Sequence, residues 1–183
     1  KIPLEGIRTV LSSGFIPIFH CIGWSAAGKP YNISSVHLAE ELAVTLQADK
    51  LFFVMPDAEI NAEHFTIPSS IGTSDDGEIP ALNLDELDSF LEANKTSQNI
   101  KILSLLSLSE KACTSGVSRV HIVNGSIDGA LPCEIFSDLG SGTMMYRTDY
   151  GTFRAMTRDD IPAVLSLMNP FVENGILLPR TSE

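Results

Sequence analysis

Two polar side chains and a pair of glycines stand close together in a mostly apolar part of the chain. His121 falls in the apolar run Val117–Val123, Glu134 in a short helical pattern, and Gly140 and Gly142 in the turn that follows. A carboxylate and an imidazole beside glycine backbone could hold a small cationic, amide-rich molecule. On spacing alone, a solvated helix carboxylate and a buried core histidine explain the same residues.

Signatures of several enzyme classes do not occur in the sequence. It contains no Walker A loop, no dinucleotide-binding glycine fingerprint, no nucleophile elbow and no His-Glu-x-x-His motif. The glycine motif Gly140-Ser-Gly-Thr143 is more typical of a tight turn than of a phosphate cradle. The four histidines lack metal-ligand spacing, so no metal site is predicted; they are His20, His37, His64 and His121.

Composition narrows the classes of partner. The net charge of −11 disfavours a nucleic acid or an anionic membrane surface as the partner, and 44% apolar residues suffice for a packed core. No apolar run approaches membrane-spanning length. Three widely spaced cysteines, Cys21, Cys113 and Cys133, indicate free thiols and a reducing, cytoplasmic setting.

The order of helix and strand patterns predicts an α/β fold with a largely parallel sheet flanked by helices. Nearly unbroken apolar runs are typical of strands buried on both faces. Such runs occur at 15–22, 50–55 and 117–123. Helical patterns occur at 4–13, 34–47, 83–91, 99–114 and 131–136. Residues 56–82 are acidic and rich in turn formers, which predicts an irregular surface segment with at most a short hairpin.

The character of the chain changes after Tyr146. A linker is predicted at 147–152, a strand at 153–156 and a helix at 158–168, capped by Thr157 and ended or bent by Pro170. Three parts are therefore expected: residues 1–146, the linker 147–152 and residues 153–183. The chain starts at Lys1 and stops without an obvious terminator, which favours a fragment of a longer protein.

Several motifs carry a specific family resemblance. They are Gly23-Trp-Ser-x-x-Gly-Lys-Pro-Tyr-Asn-Ile-Ser-Ser35, Leu38-Ala-x-x-Leu-Ala43, Ala48-Asp-Lys50, Val120-His-Ile-Val-Asn-Gly125, Ala130-Leu-x-x-Glu-Ile-Phe-Ser-Asp138 and Gly140-x-Gly-Thr143. Together they resemble the C-terminal lobe of the amino-acid kinase fold, first as it occurs in N-acetylglutamate synthases (amino-acid N-acetyltransferases) and next in N-acetylglutamate kinases. Phe153-Arg-Ala-Met-Thr-Arg-Asp-Asp-Ile161 and Gly175-Ile-Leu-Leu-Pro-Arg180 look like the opening of a GNAT acetyltransferase domain.

The resemblance implies an arginine site. His121, Glu134 and Gly140 match the positions that contact the feedback inhibitor arginine in sensitive relatives. Glu134 would pair with the guanidinium or the α-ammonium group, and His121 would offer a ring nitrogen to a polar group. Gly140 would let backbone carbonyls come close. The coincidence of all three makes the purely structural explanation the weaker one.

Two departures from the kinase pattern argue against phosphoryl transfer. Val36 stands where the kinases carry an aspartate that organises catalytic lysines, and Ser104 falls near their second catalytic lysine. Phosphoryl transfer needs fixed positive charge around the transferred group. Asn32 matches a residue that contacts the acylamino-acid carboxylate in kinases, and either a vestigial substrate contact or a structural role remains open.

The resemblance implies that the parent protein transfers acetyl from acetyl-CoA to the α-amine of L-glutamate in arginine biosynthesis, as a homo-oligomer in the cytoplasm. The acetyl-CoA pyrophosphate loop does not occur here, so the parts that bind the cofactor and transfer the acetyl group are expected elsewhere, and this chain alone is expected to be inactive. Arg180 could approach the glutamate site or lie on the surface. The alternatives are an N-acetylglutamate kinase and a stand-alone amino-acid sensor.

Overall fold

A computed structural model describes residues 2–137, 140–147 and 156–178, with the backbone alone for Asp159. The chain divides into two compact units, 1–149 and 150–183, and this division falls inside the predicted linker. The elements are, in chain order, α1 (Leu4–Ser12), β1 (Ile22–Trp24), β2 (Pro30–Asn32), α2 (Ser35–Leu46), β3 (Lys50–Met55), β4 (Ala81–Asn83), α3 (Leu84–Ala93), α4 (Ile100–Thr114), β5 (Arg119–Asn124), α5 (Ala130–Phe136), β6 (Thr143–Tyr146) and α6 (Ile161–Glu173).

The first unit is built on a four-stranded mixed sheet with the strand order β3-β5-β6-β4. β3 runs parallel to β5, β4 runs parallel to β6, and only the β5–β6 pair is antiparallel. The predicted α/β class with a largely parallel sheet flanked by helices is therefore confirmed. Sequence reasoning missed β4 and β6, because strands of three and four residues are too short to show a period.

Strand β5 is buried on both faces, as its apolar run predicts. Successive side chains of a strand point to opposite faces. Ile122 joins the core cluster that includes Leu105 and Leu106 of α4. His121, its neighbour, contacts Glu134 of α5. Helices α4 and α5 therefore cover opposite faces of the sheet at β5, and His121 lies on the α5 side.

The predicted strand at 15–22 is wrong over most of its length. Residues 15–20 adopt no strand, and only Ile22–Trp24 pairs, in a small antiparallel hairpin with Pro30–Asn32. Ile16 is 89% exposed and Ile18 is 95% exposed. No sheet partner for residues 15–20 occurs among the described parts of the chain. We call residues 15–20 the N-terminal apolar stretch.

The segment 56–80 is irregular, as predicted, but it is not only a surface segment. Its apolar side chains enter the main core, and Phe65 lies 5.4 Å from Phe90, measured between ring centroids. The buried members are Ala58, Ile60, Phe65, Ile71 and Ile79. Asn94 of the α3 C-terminus pins the segment, because its amide accepts from Thr66 N at 2.9 Å and donates to Thr66 O at 2.8 Å. The polar composition of this segment did not predict its anchoring, because a few apolar side chains are enough to hold it in the core.

Helix α3 begins with a capping box formed by Asn83 and Glu86. Asn83 Oδ1 accepts from Glu86 N at 2.9 Å, and Glu86 Oε2 accepts from Asn83 N at the same distance. Each bond satisfies an amide that the first helical turn leaves without an intrahelical partner. The helix thereby starts directly at the end of β4, which ties the segment before it to the sheet.

The second unit is described from Met156 to Leu178. A 3-10 turn, Arg158–Asp160, leads into α6, and Thr157 donates from its backbone N and Oγ1 to Asp160 Oδ2, each at 2.8 Å. Pro170 was expected to end or bend the helix; it does not end α6, which continues to Glu173. The predicted strand 153–156 and Arg180 fall wholly or mainly outside the described residues. Within the described ranges, no helix has the length and apolar character needed to cross a membrane.

Candidate functional site

His121 and Glu134 form a close, buried pair between β5 and α5. His121 Nδ1 lies 2.5 Å from Glu134 Oε1, and the side chains are 7% and 5% exposed. The imidazole stacks on the ring of Phe52 from the neighbouring strand β3, with 4.6 Å between ring centroids and 13° between ring planes. Strand pairing places Phe52 directly beside His121 and so holds the imidazole in one orientation.

The second oxygen of Glu134 accepts hydrogen bonds from the backbone just before β6. Glu134 Oε2 accepts from Ser141 N at 2.6 Å and from Gly142 N at 2.9 Å. The carboxylate thus receives three N–H donors from two parts of the chain. We call His121, Glu134, Gly140, Ser141 and Gly142 the carboxylate cluster.

These donors stabilise the ionised form of Glu134. The hydrogen bond from His121 is the largest influence and lowers the pKa of Glu134; burial opposes it, and the amides of Ser141 and Gly142 lower the pKa further. Because its pKa is lowered, Glu134 is ionised and both of its oxygens are acceptors only. The Nδ1 atom of His121 therefore carries the proton in this pair.

The other ring nitrogen of His121 is buried without a partner. Within the described residues and their contacts, Nε2 makes no hydrogen bond. A buried polar atom without a partner costs free energy, so a ligand that gives Nε2 a hydrogen-bond partner would be favoured there.

Two glycines allow the backbone to pass close to the carboxylate. Gly140 has φ +68°, and a Cβ atom built there would lie 2.8 Å from Glu134 Oε2. A Cβ on Gly142 would overlap the carbonyl oxygen of Ile122. Positive φ and close approach are the conditions that favour glycine. The Gly-x-Gly spacing thus fits a tight turn around a carboxylate.

The structure brings together His121, Glu134 and Gly140, the residues predicted as the arginine site. Sequence reasoning missed Phe52 and the amides of Ser141 and Gly142. The glycine spacing was the available signal for the amides, whereas the stacking on Phe52 depends on strand register alone. What the structure shows is a closed cluster; whether arginine binds there stays a prediction.

The other predicted site residues lie elsewhere in the fold. Asn32 is exposed in β2. Val36 lies in the first turn of α2 and packs against the main core, and Ser104 is exposed on α4. Neither Val36 nor Ser104 can supply the charge that phosphoryl transfer needs. Among residues 2–137, 140–147 and 156–178, no group of three or more His, Cys, Asp or Glu side chains is arranged to hold a metal ion.

Comparison with known proteins points to the same family as the motifs. No protein-family model matches the chain. The amino-acid acetyltransferase of Escherichia fergusonii is 32% identical in an alignment 186 residues long, which covers all of this chain and 39% of that protein. N-acetylglutamate synthase from Neisseria gonorrhoeae in complex with coenzyme A and L-arginine is 29% identical with a TM-score of 0.71, and the match covers 100% of this chain and 39% of that one.

The same synthase in complex with coenzyme A and N-acetyl-glutamate is 31% identical, with a TM-score of 0.66 and the same coverage. Carbamate kinase from Giardia lamblia, 14% identical with a TM-score of 0.51 over 80% of this chain and 50% of that one, shares the fold. The resemblance read from the motifs is confirmed: the chain is related to N-acetylglutamate synthases over its whole length and spans about two fifths of theirs.

Proposed function

We propose that the whole protein acetylates the α-amine of L-glutamate with acetyl-CoA, and that this chain supplies its arginine-binding, kinase-like part. The observation that carries the proposal is the buried carboxylate cluster, in which His121, Glu134 and Gly140 meet as the resemblance requires. Relatives named amino-acid acetyltransferase, and a related synthase in complex with coenzyme A and L-arginine, support it.

The cluster has the chemistry to bind arginine. Glu134 is an ionised carboxylate shielded from solvent, where a charge-assisted hydrogen bond to a guanidinium or ammonium group is stronger than one between neutral groups. His121 Nε2, in the same place, is a buried ring nitrogen that makes no hydrogen bond within the described residues. The carboxylate suits a ligand rich in N–H donors, and arginine carries such donors at both ends.

The acetyl transfer itself is assigned to another part of the whole protein. The amine nitrogen of glutamate attacks the thioester carbonyl of acetyl-CoA, the carbon–sulfur bond breaks, coenzyme A leaves as its thiol, and the amine loses a proton. The pyrophosphate loop typical of acetyltransferases does not occur in these 183 residues. We therefore assign none of this chain's residues to that step, and this chain alone should have no activity.

Phosphorylation of N-acetylglutamate is disfavoured by Val36 and Ser104, which replace charged positions of the kinases.

We also propose a homo-oligomer and a cytoplasmic location, the latter because three widely spaced free cysteines, Cys21, Cys113 and Cys133, suit a reducing compartment. Light scattering on the whole protein tests the first of these two proposals.

Two measurements on the whole protein test the proposed function. Mass spectrometry should detect N-acetylglutamate formed from glutamate and acetyl-CoA; no product would contradict the enzymatic part. Calorimetry should show that arginine binds and that Glu134→Ala weakens binding by about a hundredfold or more, because a shielded charge partner is lost.

Glu134→Gln, which keeps the shape and removes the charge, should also weaken binding. Glu92→Gln is the matched control, since Glu92 is an exposed carboxylate paired with Lys95 on the surface of α3. Unchanged arginine affinity in both Glu134 variants would reject the site.

A further inference from the structure

The carboxylate of Glu134 is already occupied by donors from its own chain. An ionised carboxylate offers about four lone-pair positions. Ser141 N and Gly142 N use both positions on Oε2, and His121 Nδ1 uses one on Oε1. The side chain is 5% exposed. A cationic group that binds through two N–H donors therefore needs at least one position that another donor now fills.

The His121 bond is the harder of these bonds to break. The ring lies on β5, which is paired on both sides by β3 and β6, and it stacks on Phe52. Moving the imidazole would disturb a buried aromatic contact and a strand at the centre of the sheet. His121 therefore stays in place when a ligand enters.

The two amide bonds are the easier ones to break. Ser141 and Gly142 lie in a bend between helix and strand, and both are partly exposed. The next residue, Thr143, is buried and donates from Oγ1 to Ile79 O at 2.7 Å, which anchors the start of β6. Gly140, at φ +68°, provides a permissive backbone on the other side. The anchor at Thr143 thereby limits movement on the β6 side of residues 140–142.

We infer that ligand binding at this site is an exchange, in which N–H groups of the cationic ligand replace the amides of Ser141 and Gly142 on Glu134 and release residues 140–142. The inference rests on the proposed function, since it takes arginine as the ligand. It adds that the unliganded chain closes its own site, and that occupancy is signalled by the bend that leads into β6.

The exchange is chemically balanced. The carboxylate trades two hydrogen bonds from neutral amides for bonds from a guanidinium or ammonium group, which add the attraction between opposite charges. The released amides of Ser141 and Gly142 gain water as a partner because the bend is at the surface. Opening the closed form costs free energy, and this cost reduces the observed free energy of ligand binding. A weaker closed form must therefore give a higher ligand affinity.

Hydrogen–deuterium exchange of the whole protein with and without L-arginine tests the inference. Arginine should accelerate exchange of the Ser141 and Gly142 amides, and it should leave the amides of buried α4 unchanged. Arginine binding by calorimetry with unchanged or slower exchange at these amides would overturn the inference and leave the proposed function intact. No arginine binding at all would reject both.

A pair of variants at one position gives an independent test. Ser141→Pro removes the amide N–H and should tighten arginine binding by about tenfold, the effect of losing one hydrogen bond to a charged group from the closed form. Ser141→Ala keeps the amide N–H and removes only the hydroxyl, so the ratio of the arginine affinities of the two variants isolates the effect of the amide. Equal or weaker binding by Ser141→Pro would contradict the exchange, and if that variant does not fold, the amide-exchange measurement decides.

Discussion

The carboxylate cluster and the N-terminal apolar stretch show opposite outcomes of similar sequence patterns. Both follow from nearly unbroken apolar runs that predict buried strands. The run at 117–123 became β5, which is covered on both faces and holds His121 in the sheet. The run at 15–22 left residues 15–20 outside any strand, with Ile18 95% exposed.

The difference lies in what the described chain can place beside each run. β5 has β3 and β6 as neighbours and α4 and α5 on its faces, so its peptide groups are paired and its apolar side chains are packed within the chain. The N-terminal apolar stretch has no such neighbours among the described residues. An apolar run therefore predicts that a segment can be buried, and it does not say what will cover it.

The largest expected effect is a difference in the free energy of unfolding that is lost when an apolar side chain is shortened in the core beside β5 or in the N-terminal apolar stretch. Leu106→Ala, at a fully buried position of α4, should lower the free energy of unfolding of the 183-residue chain by about 2–5 kcal/mol, because it leaves a cavity in the core. Ile18→Ala should change it by less than about 0.5 kcal/mol in the same urea titration, since the side chain is exposed. A comparable loss for Ile18→Ala would mean that the stretch is packed, and the contrast would fail.

An intermediate effect concerns the charge within the carboxylate cluster. Folding lowers the pKa of Glu134, so its ionised form stabilises the fold above the ordinary value of 4.5, and this contribution is lost as the pH falls through the lowered value. Glu134→Gln should cost about 2 kcal/mol at neutral pH, as expected for hydrogen bonds to a charged group.

The difference between the two proteins should be constant above about pH 5.5 and should shrink progressively below pH 4.5. Urea titrations at several pH values measure it. Glu92→Gln, an exposed control on α3, should show little effect. A difference for Glu134→Gln that grows on acidification would have the wrong sign and would refute an ionised, buried Glu134.

The smallest effect tests the backbone of the cluster. Gly140→Ala should destabilise the fold by about 1 kcal/mol, because alanine is strained at positive φ, and its Cβ would press on Glu134 Oε2. Gly6→Ala, in the exposed part of α1 with open space around it, should instead stabilise by up to about 1 kcal/mol. Thermal unfolding of both variants checks the opposite signs; the same sign in both would show that φ at Gly140 does not matter.

Much of the fold followed from local pattern. The helical patterns at 83–91 and 99–114 and the apolar run at 50–55 predicted their elements within a few residues. These features depend on neighbours in sequence, because caps and periodicity act over one or two turns. The site residues His121, Glu134 and Gly140 came from resemblance to relatives, since spacing alone left a structural explanation open.

Other features required the tertiary structure. Whether Glu134 is exposed or buried depends on where α5 packs, and its three donors come from a strand and a bend that are up to 13 residues away in sequence. The short strand β6 exists because β5 and β4 lie on either side of it. The sequence alone determined which residue types were available for a polar site. Only packing decided that the carboxylate of Glu134 is shielded from solvent, stays ionised despite its burial and already binds donors of its own chain. Burial and hydrogen-bond partners are set by contacts between distant segments.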